Sequence, residues 1–308
     1  MDETDIRLCQ MLFVDSRAPI RELADKLGIS VQATHRRMQG LKEEGLVHHY
    51  KASLSLGYLR AIRLLIEGRS TGGPEDVEKA LRQNEMVGTV FVGEGQGHYF
   101  LECILHDIKD MDPLVEYMRT AVQMPEPHVF FDSQVRFGEK VLDSSYKGVP
   151  ELSKLDHQIV YALHEDARMS VADIAARCDA SVRTVAKHLD RLMEDGAVHF
   201  DLDWRPGNAS GLTAQMAIIL RKDADLKRTR DEIDRRFGGS LFLTASLSNV
   251  VGMVISNAWA PSMKKYNELI DSIRNCPGVD NVFSTVIKDG WVQDTWRDKV
   301  LKEKAGFV

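Results

Sequence analysis

The spacing of apolar residues along this chain changes period in a fixed order, and that order predicts its elements. Over residues 4–14, Ile6, Leu8, Cys9, Leu12 and Phe13 recur at helical spacing. Residues 20–27 form a second short amphipathic stretch, closed by Gly28. Ser30 is a natural N-cap for a third, its hydroxyl able to take a backbone N–H that the first turn leaves free. Val31, Thr34, Met38 and Leu41 then predict one buried stripe. The opposite face carries Gln32, Ala33, His35, Arg36 and Arg37, a short cationic surface sized to lie in a DNA major groove. Helix, glycine turn, helix is the helix-turn-helix arrangement. After Gly45 the period drops to two, and residues 46–54 read as a β-wing.

A different module follows. Residues 60–67, 87–93, 98–105 and 129–137 read as strands, with helices over 74–83 and 112–122. The order βαββαβ is a ferredoxin-like unit, with helices on one face of an antiparallel sheet. Ile62, Leu64, Ile66, Phe91, Leu101 and Cys103 are too apolar, as a set, for both faces to be wet. A partner for the face without helices is therefore expected.

The same pattern returns 151 positions later without a gap. Asp5 meets Asp156, Asp15 meets Asp166, Arg17 meets Arg168, Ala24 meets Ala175, Ser30 meets Ser181, Val31 meets Val182, Leu41 meets Leu192, Gly45 meets Gly196 and His48 meets His199. Chance does not place so many matches at one offset, so the chain is an internal duplication. The second recognition face carries Arg183, Thr184, Lys187 and His188. Asp179 stands where the first copy has Gly28, and Asp190, Glu194 and Asp195 crowd the helix end, which predicts a weaker reader. The second βαββαβ unit reads as strands 213–221, 240–245, 250–256 and 279–287 with helices 225–236 and 262–274, before an amphipathic helix over 291–304. The expected fold class is α+β, two winged helix-turn-helix domains alternating with two ferredoxin-like βαββαβ domains. The expected divisions are 1–56, 57–143, a linker over 144–153, then 154–205, 206–290 and a C-terminal helix in 291–308.

Composition narrows the function classes. With 308 residues, 44% hydrophobic and 28% charged, the chain is an ordinary globular protein with room for more than one core. A net charge of −6 argues against a DNA-packaging protein but leaves room for a local basic face. Cys9, Cys103, Cys178 and Cys276 lie far apart, which predicts reduced thiols and no zinc site. No histidine forms a helical i, i+4 pair with a carboxylate, so no metal is expected. No apolar run approaches a bilayer's span and the N-terminus is acidic, so cytoplasm is expected and a membrane is not. Nothing in the arrangement of serine, cysteine and carboxylate residues assigns a catalytic group.

The stretch Glu22-Leu23-Ala24-Asp25-Lys26-Leu27-Gly28-Ile29-Ser30, then Thr34-His35-Arg36-Arg37-Met38 and Gly45-Leu46-Val47, followed by a βαββαβ order, resembles the leucine-responsive and asparagine-operon regulator (Lrp/AsnC) family. The resemblance covers nearly the whole chain taken twice, whereas the family commonly has one copy of each module. It implies a sequence-specific transcription regulator that is not an enzyme, with double-stranded DNA as partner, no cofactor, and a small-molecule effector such as an amino acid. In that family the second module, the RAM domain, binds effector and oligomerises. Gly95, Gly97, His98 and Tyr99 are effector candidates on that ground, while the residues alone describe a hairpin turn. Siroheme decarboxylases resemble the same family, also occur as duplicated chains, and supply the enzyme alternative. His98-Tyr99-Phe100 is similar to their motif, but Val47-His48-His49-Tyr50 lacks their arginine pair. His48 and His199 are expected to face the DNA backbone or cap the wing. The duplication predicts that the two effector units pair within one chain as a pseudo-dimer, leaving a homodimer of whole chains open.

Overall fold

The computed structural model of the protein describes residues 1–95, 97–138, 140–141 and 151–307. Most of the expected linker, 144–150, lies outside the described residues. The first helix-turn-helix contains α1 (Glu3–Val14), α2 (Ile20–Leu27) and α3 (Val31–Glu43). Asp2 and Asp5 form a capping box at the start of α1, and Ser30 accepts the Ala33 N–H at the start of α3. Gly28 closes α2 at φ 68°, a left-handed conformation that glycine adopts freely. In the second copy Asp179 holds that turn at φ 49°. Then come β1 (Val47–Leu54), a short α4 (Leu56–Leu59), β2 (Ile62–Arg69), α5 (Pro74–Gln83), β3 (Val87–Gly93), β4 (His98–Leu105) and α6 (Met111–Thr120). The expected strand over 129–137 is broken at Phe131 into β5 (His128–Phe130) and β6 (Asp132–Phe137), with β7 (Lys140–Val141) after it.

The second half repeats the order: α7 (Lys154–Glu165), α8 (Val171–Arg177), α9 (Val182–Glu194), β8 (Val198–Trp204), β9 (Leu212–Leu220), α10 (Leu226–Phe237), β10 (Leu241–Leu247), β11 (Met253–Ala260), α11 (Met263–Arg274) and β12 (Val279–Val292). The last helix, α12, is Trp296–Ala305. Trp291 and Val292, expected in that helix, instead extend β12, because they pair with Val90 and Thr89 of β3.

The strand after each helix-turn-helix pairs with its counterpart in the other half. β1 and β8 form a two-stranded antiparallel ribbon, with Tyr50 opposite Leu202 and Lys51 opposite Asp201. That register relates the halves by an approximate twofold axis. Two arginines matched in the repeat obey the same symmetry. Arg17 donates to the carbonyls of Ala167 and Met169 at 2.6 and 2.7 Å, and Arg168 donates to those of Ser16 and Ala18 at 2.6 and 2.9 Å. The matched Asp15 and Asp166 each accept the backbone N–H of their own arginine. These repeated residues therefore join the two helix-turn-helix units.

The two βαββαβ units share one antiparallel sheet, in the order β5-β2-β4-β3-β12-β9-β11-β10-β6-β7. Each fourth strand serves both units. β12 pairs with β9 through its first part and with β3 through its second. β5 pairs with β2, and the chain then crosses at Phe131 so that β6 pairs with β10. The strand circuit thus closes on itself. Five of the six apolar residues expected to need a partner face the helices instead: Leu64, Ile66, Leu101 and Cys103 are buried with Val77, Leu81, Leu114 and Met118, and Ile62 packs against them. Strand alternation puts Arg63, Glu67 and Glu102 on the other face with Phe91 and Phe100.

Contacts between the helix-turn-helix units and the sheet are crossed. The Gln10 side chain of α1 donates to the carbonyls of Gly238 and Leu241 in the second unit, at 2.7 and 2.5 Å. Trp296 of α12 donates to the carbonyl of Ile104 in the first unit at 2.8 Å, while α12 packs on α7. Trp204, at the end of β8, is ringed by Phe13, Phe91 and Phe242, with centroids 5.7, 5.9 and 4.4 Å away. Such aromatic contacts add stabilisation beyond the buried area.

Candidate nucleic-acid interface and interior cavity

α3 and α9 present similar but unequal faces. Gln32, His35 and Arg36 are exposed and Ala33 is half-buried, while Thr34, Met38 and Leu41 are buried. Val31, expected in the buried stripe, is instead 48% exposed, and its counterpart Val182 is 52% exposed. Both lie in the first turn, where the core falls away. Arg37, expected to be exposed, is turned back to α1. Its guanidinium donates to Asp5 at 2.7 Å and to Asp2 at 3.0 Å, which holds its pKa above the ordinary arginine value.

The second copy repeats this device with different bases. His188, the counterpart of Arg37, lies 2.7 Å from Asp156, and Arg191 donates to both oxygens of the same carboxylate at 2.7 Å. Asp156 is fully buried. Burial works against its charge, but hydrogen bonds from Ser153, His188 and Arg191 prevail and hold its pKa below the ordinary value. Arg183, Thr184 and Lys187 are exposed. The faces left for a DNA groove are therefore Gln32, Ala33, His35 and Arg36 on α3, and Arg183, Thr184 and Lys187 on α9. Arg37 and His188 orient their helices.

The effector candidates do not converge. Gly95 and Gly97 occupy the β3–β4 hairpin at φ 87° and 65°, and a Cβ on Gly97 would meet the Ser70 carbonyl oxygen at 2.1 Å. His98 points to Glu67, with 3.0 Å between Nε2 and Oε1, and its buried Nδ1 has no partner. Tyr99, the next residue, points into the helix-side core. His199 lies inside the protein, among Asp201, Arg297 and Arg63, and not against a DNA backbone. His48 is exposed on the ribbon.

Between the inner faces of the two units and the ribbon lies a cavity of 730 Å³. Its walls mix aromatic residues, including Phe91, Phe100, Phe130 and Trp204, with Lys51, Arg63, Glu102, His199, Asp201 and Arg297. Arg63 pairs with Asp132 at 2.6 Å. Burial pushes Glu102 above the usual carboxylate range despite Arg63 nearby, and burial likewise pushes His199 below the usual imidazole value. Both are thereby biased to their neutral forms, able to exchange hydrogen bonds with a bound polar group. Sequence reading missed this site. The available signal was Arg63 and Glu102 interrupting otherwise apolar strands.

Paired capped recognition helices, mounted by a strand ribbon on two strand-exchanging βαββαβ units, define a DNA-binding helix-turn-helix protein of duplicated form. Residues 1–42 match the AsnC-type helix-turn-helix domain, and residues 152–198 match a winged helix-turn-helix DNA-binding domain. The HTH-type transcriptional regulator LrpA of Mycobacterium tuberculosis is 27% identical over 127 residues, 40% of this chain and 85% of that protein. An uncharacterised HTH-type transcriptional regulator of Pyrococcus horikoshii is 30% identical over 141 residues, 44% of this chain and 95% of that protein. The chain belongs to the Lrp/AsnC family of transcription regulators. The crystal structure of the siroheme decarboxylase NirDL covers 98% of both chains with a TM-score of 0.59, at 13% identity, a likeness of fold alone. No helix among the described residues is long and apolar enough to cross a membrane.

Proposed function

We propose that this regulator is an intramolecular pseudo-dimer that lays two unequal recognition helices on one imperfect palindrome and responds to a small metabolite. The observation that carries the reading is the reciprocal Arg17–Arg168 exchange across the β1–β8 ribbon, which relates the two helix-turn-helix units by an approximate twofold axis. Twofold-related recognition helices match half-sites about one helical turn of DNA apart. Since α3 offers Arg36 and α9 offers Lys187 at matched positions, the half-sites differ. Arginine takes a guanine edge with two hydrogen bonds, whereas lysine supplies a point charge. The test is genome-wide occupancy of the tagged protein followed by footprinting. A single-half-site footprint, or a head-to-tail repeat, overturns the palindrome. Double-stranded DNA in the cytoplasm and a small effector are the partners this reading names. Gly95, Gly97, His98 and Tyr99 remain the effector segment proposed from the family resemblance.

The interior cavity favours a second reading, a small-molecule enzyme of the siroheme-decarboxylase kind. Its volume falls within the range of about 300–1,000 Å³ usual for ligand sites. Arginine, histidine and aromatic walls suit a carboxylated aromatic macrocycle. A thermal-shift screen against amino acids and tetrapyrroles separates the readings. Stabilisation by an amino acid supports the sensor; stabilisation by siroheme with loss of its carboxylates supports the enzyme.

A further inference from the structure

One place in the ribbon breaks regular pairing. Val47 faces Trp204 and His49 faces Asp203, so His48 is an extra residue and β1 carries a bulge there. On a regular strand adjacent side chains point to opposite faces. Here the bulge brings two consecutive imidazoles together, with ring centroids 5.3 Å apart. Asp203 rises beside them from β8, its Oδ2 3.4 Å from His49 Nδ1. The three donor groups each offer a ligand atom within 4.8 Å of the others.

Two independent features mark this cluster as more than a surface ion pair. Asp203 is 4% exposed, and its Oδ1 has no hydrogen-bond partner, an arrangement that native proteins generally avoid. The duplication also does not require these residues. At the repeat offset, Phe200 replaces His49 and Ala52 replaces Asp203, so the cluster occurs once per chain.

We propose that His48, His49 and Asp203 bind one divalent transition-metal ion of the zinc, nickel or cobalt class. Two imidazoles and one carboxylate are the ligand chemistry of these ions, with the remaining position open to solvent. His48 is exposed, at the solvent side of the cluster. Arg205, whose guanidinium approaches the same carboxylate at 3.7 Å and is 37% exposed, is the cation the metal displaces. The ion ties the start of β1 to the end of β8 and so staples the ribbon that joins the two halves.

The test uses the full chain without a histidine tag, freed of metal by chelation. Titration with Co²⁺ should give one equivalent bound with visible absorption bands of a low-coordinate site, and Zn²⁺ should displace it and raise the thermal midpoint. The double variant H48A/H49A should lose the bands and weaken Zn²⁺ binding at least about tenfold. Asp203→Asn, which keeps the shape and removes the charge, should do the same while retaining the metal-free thermal midpoint within a few degrees. Absence of the bands in the native chain, or equal Zn²⁺ affinity in native chain and both variants, overturns the site.

Discussion

The two halves of this chain began as one sequence, and matched positions now carry different loads. Asp5 and Asp156 are the same position, yet Asp5 holds one arginine while Asp156, fully buried, holds a histidine and an arginine. Phe13 and His164 are also matched. Phe13 stacks on Phe137 at 4.9 Å, whereas His164 lies 3.5 Å from both Asp294 and Asp298 and bonds the Ala52 carbonyl at 3.0 Å. The inner sheet faces differ in the same sense. The first unit turns Arg63 and Glu102 inward, while the second turns Gln215 and Asn257 inward, hydrogen-bonded to each other at 2.5 Å. Duplication supplied a symmetric frame, and the two units line the same cavity with unlike side chains.

The sharpest way to break the comparison is at the matched aspartates. Asp156→Ala removes the α7 capping box and the hydrogen bonds to Ser153, His188 and Arg191, and should cost about 2–3 kcal/mol, because water still reaches the two cations left behind. Asp5→Ala should cost clearly less, because Asp2 still holds Arg37. Thermal unfolding of both variants checks this, and equal losses would mean the two units are held alike. Next in size is DNA affinity. Arg36→Ala should weaken operator binding by about 1–3 kcal/mol in gel-shift titrations, and Lys187→Ala by less. Arg37→Ala should act through stability, lowering the thermal midpoint.

A smaller effect concerns pH. Burial opposes the charge on His164, but Asp294 and Asp298 outweigh it and raise its pKa above the ordinary 6.5. The stabilisation is then complete below about pH 6.5 and is lost as pH rises through the folded-state value. His164→Gln should flatten stability against pH across that interval, measured by denaturant unfolding in a buffer series. A slope unchanged by the substitution would assign it elsewhere. Least of all, Val31→Ser and Val182→Ser should each change stability by no more than about 0.5 kcal/mol, because both side chains are half exposed.

Much of the frame was legible in the sequence because it is local. Pro74, Ser30, Ser181 and the glycine turns mark element ends through backbone chemistry that acts within one turn of chain. The second reader's strained turn was legible for the same reason: Asp179 does adopt the left-handed conformation. What escaped depends on distant partners. Nothing near Arg37 in sequence says that Asp2 and Asp5 will claim it. Residues 46–54 alternate as a strand should, but alternation cannot name β8 as the partner. The closeness of His48 and His49 follows from a bulge, which periodicity does not register.

The exchange of fourth strands has a consequence in time. β3 carries a free edge from the moment it is made until β12, the last strand, arrives to pair Gly93 with Ile287. The first unit therefore leaves a ribosome with an unsatisfied row of backbone groups, and its closure waits on nearly the entire remaining chain. Pairings so distant along the sequence are slow to form, and an open strand edge recruits other chains meanwhile. In the proposed pseudo-dimer, a concentration-dependent search between two subunits is replaced by a long wait during synthesis.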